Sequence, residues 1–361
     1  MKKLLVLAAM TVAATNAFAG VKLVVRSDYV NTPKYDRADG SENTGSSVFT
    51  PDVARMYLSG NVGEAVIDAG LNLRAFTPVD VGGGTATKAM TVDQFVDHLT
   101  ISKPMGDWTF TAGKLWLNVG GFERHAFYDG DTYLTSLANG GFGAQAGPAD
   151  FAGVQGSIST PENSSGVAAA YKINDDHKVE VQVYNQTNRD SELLTSNNKR
   201  HSYGVAYWGS FADKMVMPYL SYTIGAADTA TTNVEQTFMA AGFRLAPMEN
   251  LSVDLEYLAN TSDDSTAKDE TNSTILEARY KMGMYVPVLK YEMSKDKAAG
   301  TDNFDRNAFA VALEIVPNTE DAFRYHVAYT SIKDDYKAPG ADDPTKNIIT
   351  VGFKYSGDIA K

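Results

Sequence analysis

The chain has no cysteine among its 361 residues. This excludes disulfides, thiolate metal sites, cysteine nucleophiles and the acylated cysteine of a lipoprotein. Histidine is scarce, at His98, His125, His177, His201 and His326, and no two have a metal-ligand spacing such as HExxH. Beyond the N-terminus no segment approaches the roughly 20 continuous apolar residues of a membrane helix. Positive charge is in deficit, with Lys+Arg 32 against Asp+Glu 44 and a formal net charge of −12. Phosphates would repel such a chain, so nucleic acid is excluded as a partner. The run Gly82-Gly83-Gly84 does not open a helix as a phosphate-binding loop must. The pairs Asp263-Asp264, Asp334-Asp335 and Asp342-Asp343 lack the spacing of a calcium loop.

The N-terminus is the one apolar run. Lys2 and Lys3 precede Leu4–Ala14, and Ala17-Phe18-Ala19 places small residues where a signal peptidase reads. The sequence therefore predicts a signal peptide over 1–19, with the mature chain starting at Gly20. Its removal leaves 342 residues and a charge of −14. If that chain meets a membrane, it must do so with strands.

Period-two alternation is what the sequence has in abundance. Leu251, Val253, Leu255, Tyr257 and Ala259 alternate with Ser252, Asp254, Glu256 and Leu258. Phe323, Tyr325, Val327 and Tyr329 alternate with Arg324, His326, Ala328 and Thr330; Ile67–Phe76 behaves likewise. Alternation puts one set on each face of a sheet. The apolar face could pack on a second sheet or face lipid around a wet lumen. Strands of about 9–12 residues favour a membrane barrel. So do aromatic residues at strand ends, namely Tyr57, Phe76, Trp108, Trp116, Tyr184, Phe211, Tyr257, Tyr285 and Tyr355. Charged residues then fall on the inner face: Arg55, Asp68, Arg74, Asp254, Glu256, Glu277, Arg279, Lys290, Glu292 and Arg324.

Seventeen candidate strands can be marked: near 21–30, 48–61, 66–76, 91–103, 108–116, 151–159, 166–173, 178–187, 199–211, 214–225, 234–246, 249–259, 271–282, 284–294, 304–316, 321–332 and 346–356. Short turns near Asp175–Asp176, Ala212–Asp213, Ala246–Asn250, Gly283 and Pro317–Asp321 alternate with polar loops at Asn188–Asn198, Ala226–Asn233, Asn260–Glu270, Lys295–Asn303 and Lys333–Thr345. A bacterial single-chain barrel needs an even number. Assigning Phe151–Ser159 to a long loop gives sixteen, the preferred count; a hidden strand within Leu117–Asp150 would give eighteen.

Signal peptide, hairpin rhythm, a long insertion after the fifth strand and an aromatic final strand, IITVGFKY, together resemble the Gram-negative outer-membrane porin superfamily. The likeness covers the whole chain and extends to its trimeric general-diffusion and anion- or phosphate-type members. It implies a transmembrane antiparallel β-barrel over 20–361, assembled as a homotrimer in outer-membrane lipid and lipopolysaccharide. It also implies that the third long loop, here 117–150, folds into the lumen. Unlike family barrels that end on an aromatic residue, this chain continues past Tyr355 to Lys361.

The expected function is passive diffusion of small hydrophilic solutes and ions, with no enzyme activity and no cofactor. Glu123, Arg124, Asp129 and Asp131 of the loop are expected to face the wall residues Arg55, Arg74 and Lys114. Asp68, Glu277, Arg279 and Arg324 complete the expected pore lining. Opposed charges across a narrow gap make a transverse field that sorts solutes. Two rival readings stand beside this one: an outer-membrane hydrolase using His125 or His326 at a rim, and a secreted β-sandwich adhesin.

Overall fold

A computed structural model describes residues 20–36, 42–73, 95–139, 163–185, 200–226, 232–317, 322–337 and 343–360. The expected signal peptide, Arg74, Phe76 and the 151–159 segment lie outside the described residues.

The alternation read from the sequence becomes long strands. They are β1 (Gly20–Thr32), a small hairpin of β2 (Tyr35–Asp36) and β3 (Glu42–Asn43), β4 (Ser46–Val62), β5 (Ala65–Asn72), β6 (Val96–Met105), β7 (Trp108–Trp116), β8 (Asn163–Asn174) and β9 (His177–Tyr184). There follow β10 (Ser202–Gly209), β11 (Val216–Ala226), β12 (Glu235–Met248), β13 (Leu251–Asp263), β14 (Lys268–Tyr280), β15 (Tyr285–Ala298), β16 (Thr301–Ile315), β17 (Phe323–Tyr336) and β18 (Thr345–Ala360). One short helix is described, α1 (Phe122–Tyr128).

Sixteen of these strands form one closed antiparallel barrel, each paired with its neighbours in the chain and β1 sealed against β18. Closure satisfies the backbone N–H and C=O groups that a strand edge would leave bare in lipid. Strand β7 pairs directly with β8, Trp108 opposite Tyr171 and Trp116 opposite Asn163. The ladder closes with sixteen strands, which decides for sixteen over eighteen.

The two faces separate by parity. Leu255 and Tyr257, Leu289 and Tyr291, Phe309 and Val311, and the row Phe323, Tyr325, Val327, Tyr329 are all exposed outward. The alternate residues Glu256, Lys290, Glu292, Ala310 and His326 are buried inside. The apolar row therefore does not pack on a second sheet, and the sandwich reading fails. Three aromatic residues expected in the outer girdle face inward instead. Tyr57 shares the face of Arg55, Tyr184 shares that of Gln182 and packs on Phe238, and Trp116 turns into the lumen beyond Gly113 (φ +130°).

Two expected long loops are nearly absent. Only 264–267 separates β13 from β14, and Ala299–Gly300 alone joins β15 to β16. The ladders run on past the apolar belt, because backbone pairing needs no greasy side chain. The sequence pattern ended where lipid contact ends, and the strand did not.

Candidate functional site: a lumen narrowed by an inward loop

After Trp116 the chain leaves the wall and crosses the lumen. Leu115, Leu117 and Val119 pack on Ala168, Tyr184 and Phe238, an apolar foothold inside the barrel. Asn118 adds its Nδ2, donating to Glu180 at 2.7 Å, while Gln182 Nε2 donates to the Trp116 carbonyl at 2.9 Å. Two glycines let the loop lie close to the wall. A Cβ on Gly121 would collide with the carboxylate of Glu256, and Gly130 adopts φ +66° against Val53 and Arg26.

Helix α1 then places Glu123 against the wall. Its carboxylate receives Lys290 of β15, with side chains 1% and 2% exposed. It also accepts from the Ser136 amide at 2.7 Å, from the Ser136 hydroxyl and from Asn139 Nδ2. Glu256 of β13 accepts from the Glu123 amide at 3.1 Å, and Glu292 of β15 accepts from the Leu137 amide at 2.6 Å. Wall carboxylates thus satisfy loop amides that would otherwise be stranded in a buried contact.

Asp131 is the second anchor. Arg324 of β17 and Lys354 of β18 each reach its Oδ1 at 2.7 Å, and Arg279 of β14 donates to its carbonyl. Burial alone would raise the Asp131 pKa. The charges of Lys354 and Arg324, the Lys354 hydrogen bond and the charge of Arg279 outweigh it and hold the group below the usual carboxylate range. Arg279 also pairs with Glu277 at 2.7 Å and with Glu314 at 3.0 Å. Arg26 of β1 donates to the carbonyls of Gly130 and Thr132 at 3.1 and 2.7 Å, and its guanidinium lies 4.9 Å from the Tyr133 ring.

Beyond its foothold on β8, β9 and β12, the loop is therefore tied across β13 to β18 and β1. Arg55 pairs with Asp97 at 2.9 Å, and Lys114 donates to the Val96 carbonyl at 2.9 Å. Residues that carry the docking but were not singled out as site residues are Arg26, Lys290 and Lys354. Each lies on the polar parity of its strand, and that parity was the signal available for finding them.

Among the described residues, the lumen stays open along the start of β1 and β4 to β7. A cavity of about 250 Å³ there is lined by Lys22, Tyr57, Asp68 and His98 from the wall and by His125 and Asp129 from the loop, with Trp116 at their junction. Rings run through it in sequence. Tyr57 lies 6.2 Å from His98, His98 6.3 Å from Trp116, and Trp116 stacks on His125 at 5.9 Å with 11° between planes. One helical turn from His125, Phe122 continues the series to Tyr219 at 6.1 Å, and Tyr219 to Trp208 at 5.5 Å. Cations sit over several faces: Arg124 over Trp116 (5.5 Å), Arg244 over Phe122 (4.9 Å) and Lys178 over Trp208 (4.1 Å). Desolvation by the surrounding protein and the Arg124 charge hold the His125 pKa below its ordinary value.

His326 bonds Asp28 at 2.9 Å and lies buried against Tyr133, and His125 stacks on Trp116. No group of three or more His, Cys, Asp or Glu suited to a metal occurs among the described residues.

Three comparisons place this architecture. No family model and no curated protein matches the chain. Among solved structures, the outer membrane channel DcaP of Acinetobacter baumannii superposes with a TM-score of 0.63 at 10% identity, covering 93% of this chain and 96% of that one. The anion-selective porin from Comamonas acidovorans gives 0.61 at 10% identity, over 93% and 98%. OmpT, an outer membrane protein of Vibrio cholerae in its trimer form, gives 0.60 at 11% identity, over 93% and 98%.

The fold is that of the outer-membrane porins.

Within the porin fold, strand number, closure and lumen are set by backbone pairing, so they survive at 10–11% identity. The side chains that hold the loop and line the gap are this chain's own, and they are what its function must be argued from.

Proposed function

We propose that this protein is an outer-membrane channel for passive diffusion of small hydrophilic solutes and ions. The observation that carries the reading is a closed cylinder with an apolar exterior and a charged interior, crossed by an anchored loop that leaves one side open. An apolar belt on a closed barrel needs acyl chains as its solvent, and a charged lumen needs water. The porin-fold neighbours, two of which are described as a channel and as an anion-selective porin, support the same reading.

In this proposal Met1–Ala19 directs export and is removed, and the barrel sits in outer-membrane lipid facing lipopolysaccharide. Three copies assemble, as a trimer form is described for the Vibrio cholerae neighbour. Transport needs no cofactor and no chemical step. Of the residues expected to line the pore, Asp68 and Asp129 line the open gap, whereas Glu123, Asp131, Arg279 and Arg324 hold the loop that defines it. Two carboxylates against Lys22 at the gap give a mild cation preference.

Purified protein in a planar bilayer tests this directly. Stepwise conductance is expected, with a reversal potential shifted toward the cation equilibrium in a salt gradient. A folded, inserted barrel that passes no current would overturn the channel reading, and anion preference would overturn the selectivity.

A further inference from the structure

The open cavity differs from the anchored side of the loop in one respect that bears on what passes through it. Nearly every charge on the anchored side is spent on another protein group. In the cavity two opposite charges are not. Among the described residues, the Lys22 ammonium and the Asp129 carboxylate have no ion pair and no side-chain hydrogen bond, although both line the same space. Lys22 comes from the wall and lies 5.9 Å from the Tyr57 ring centroid, and Asp129 follows the C-terminus of α1. Asp68, the other carboxylate present, is occupied by His98 Nε2 at 3.2 Å.

Flat rings accompany the two free charges. Tyr57, Trp116 and His125 reach the cavity, and His125, its pKa held below the ordinary value, offers a ring and no charge at neutral pH. A volume of about 250 Å³ takes a solute displacing about eight waters at ~30 Å³ each. A permanent anion alone would satisfy Lys22 and be repelled by Asp129, and a permanent cation alone would do the reverse. A solute carrying both charges at one end and a flat apolar group at the other satisfies every feature at once.

We propose that this cavity is a binding station for zwitterionic amino acids with flat side chains, the carboxylate meeting Lys22 and the ammonium meeting Asp129. The proposal rests on the channel reading and deepens it by naming a solute class. Binding at such a station raises occupancy at low solute concentration and slows ions that share the passage.

Ion current through the full-length mature protein in a planar bilayer at neutral pH is the test, with three probes: L-tryptophan, indole-3-propionate, which lacks the ammonium, and tryptamine, which lacks the carboxylate. L-tryptophan is expected to half-block the current at a concentration about tenfold lower than either analogue, the factor that one lost charge-assisted contact produces. Lys22→Met should weaken block by L-tryptophan and indole-3-propionate and strengthen block by tryptamine, whose ammonium Lys22 repels. Asp129→Asn should weaken L-tryptophan and tryptamine and strengthen indole-3-propionate, whose carboxylate Asp129 repels. If a variant does not insert, the ranking of the three probes on the unsubstituted channel decides. Equal block by all three, no block in a conducting channel, or variants that shift every probe alike would overturn the proposal. A protein that conducts nothing would instead overturn the channel reading beneath it.

Discussion

Asp131 and Arg324 stand 193 residues apart and meet at 2.7 Å, joining the tip of the inward loop to the penultimate strand. Lys354 of the last strand reaches the same carboxylate oxygen at 2.7 Å. One side chain thus ties the loop to the two strands that precede barrel closure on β1. Asp131→Asn keeps the shape and removes the charge, leaving two cations with a weaker acceptor. Current through the open channel should become noisier as the loop gains freedom, and stability against urea in detergent should fall by about 1–3 kcal/mol. A quiet trace with unchanged stability would show that the contact does not hold the loop.

Acid should act through the same group. The Asp131 pKa lies below its ordinary 3.8 in the folded protein. Its contribution is therefore complete above that ordinary value, and it is lost only as pH falls through the lower, folded one. Single-channel conductance is expected to hold steady from pH 7 to pH 4 and to change below 3.8. A transition centred at pH 5 or above would assign loop release to another group.

Glu123 and Lys290 form a buried pair with side chains 1% and 2% exposed. Glu123→Gln leaves the ammonium of Lys290 with Glu277 at 3.8 Å as its carboxylate and the Thr132 hydroxyl at 3.3 Å. The expected cost is about 3–5 kcal/mol, read by denaturant unfolding. Adding Lys290→Met to Glu123→Gln should recover part of that loss, because the stranded charge goes with it. A double variant less stable than the sum of the two singles would show that the pair is not the interaction being broken.

Leu289 pairs with Val311 on the adjacent strand, and both point outward in the belt. Leu289→Arg should destabilise the barrel in lipid by about 2–4 kcal/mol, the range for a cation at the midplane. The same change at Ala299, in the two-residue turn between β15 and β16, should cost little. Equal effects at both positions, measured by unfolding from vesicles, would contradict a lipid-facing belt.

The barrel was legible because its signal is local and repeated. In Phe323–Thr330 every second residue is apolar, and a strand has only two faces, so the parity of Arg324 and His326 followed directly. Parity was less reliable where the chain bends. At Gly113 the strand turns, and Trp116, read as a girdle residue, enters the lumen. Strand ends were misjudged for a different reason. Ala299–Gly300 lies inside what the composition marked as a long loop, because polarity reports the solvent and not the hydrogen-bond ladder.

By itself the sequence determined strand periodicity, an even-numbered meander, an apolar exterior and a long acidic insertion, since each depends on residues close together in the chain. Only the tertiary structure decided which wall the insertion docks on. Docking on Arg324, Lys354 and Lys290 depends on how barrel curvature carries strands more than 150 residues away to the loop. The open gap, with Lys22 and Asp129 unspent, is what remains once those distant pairs have formed.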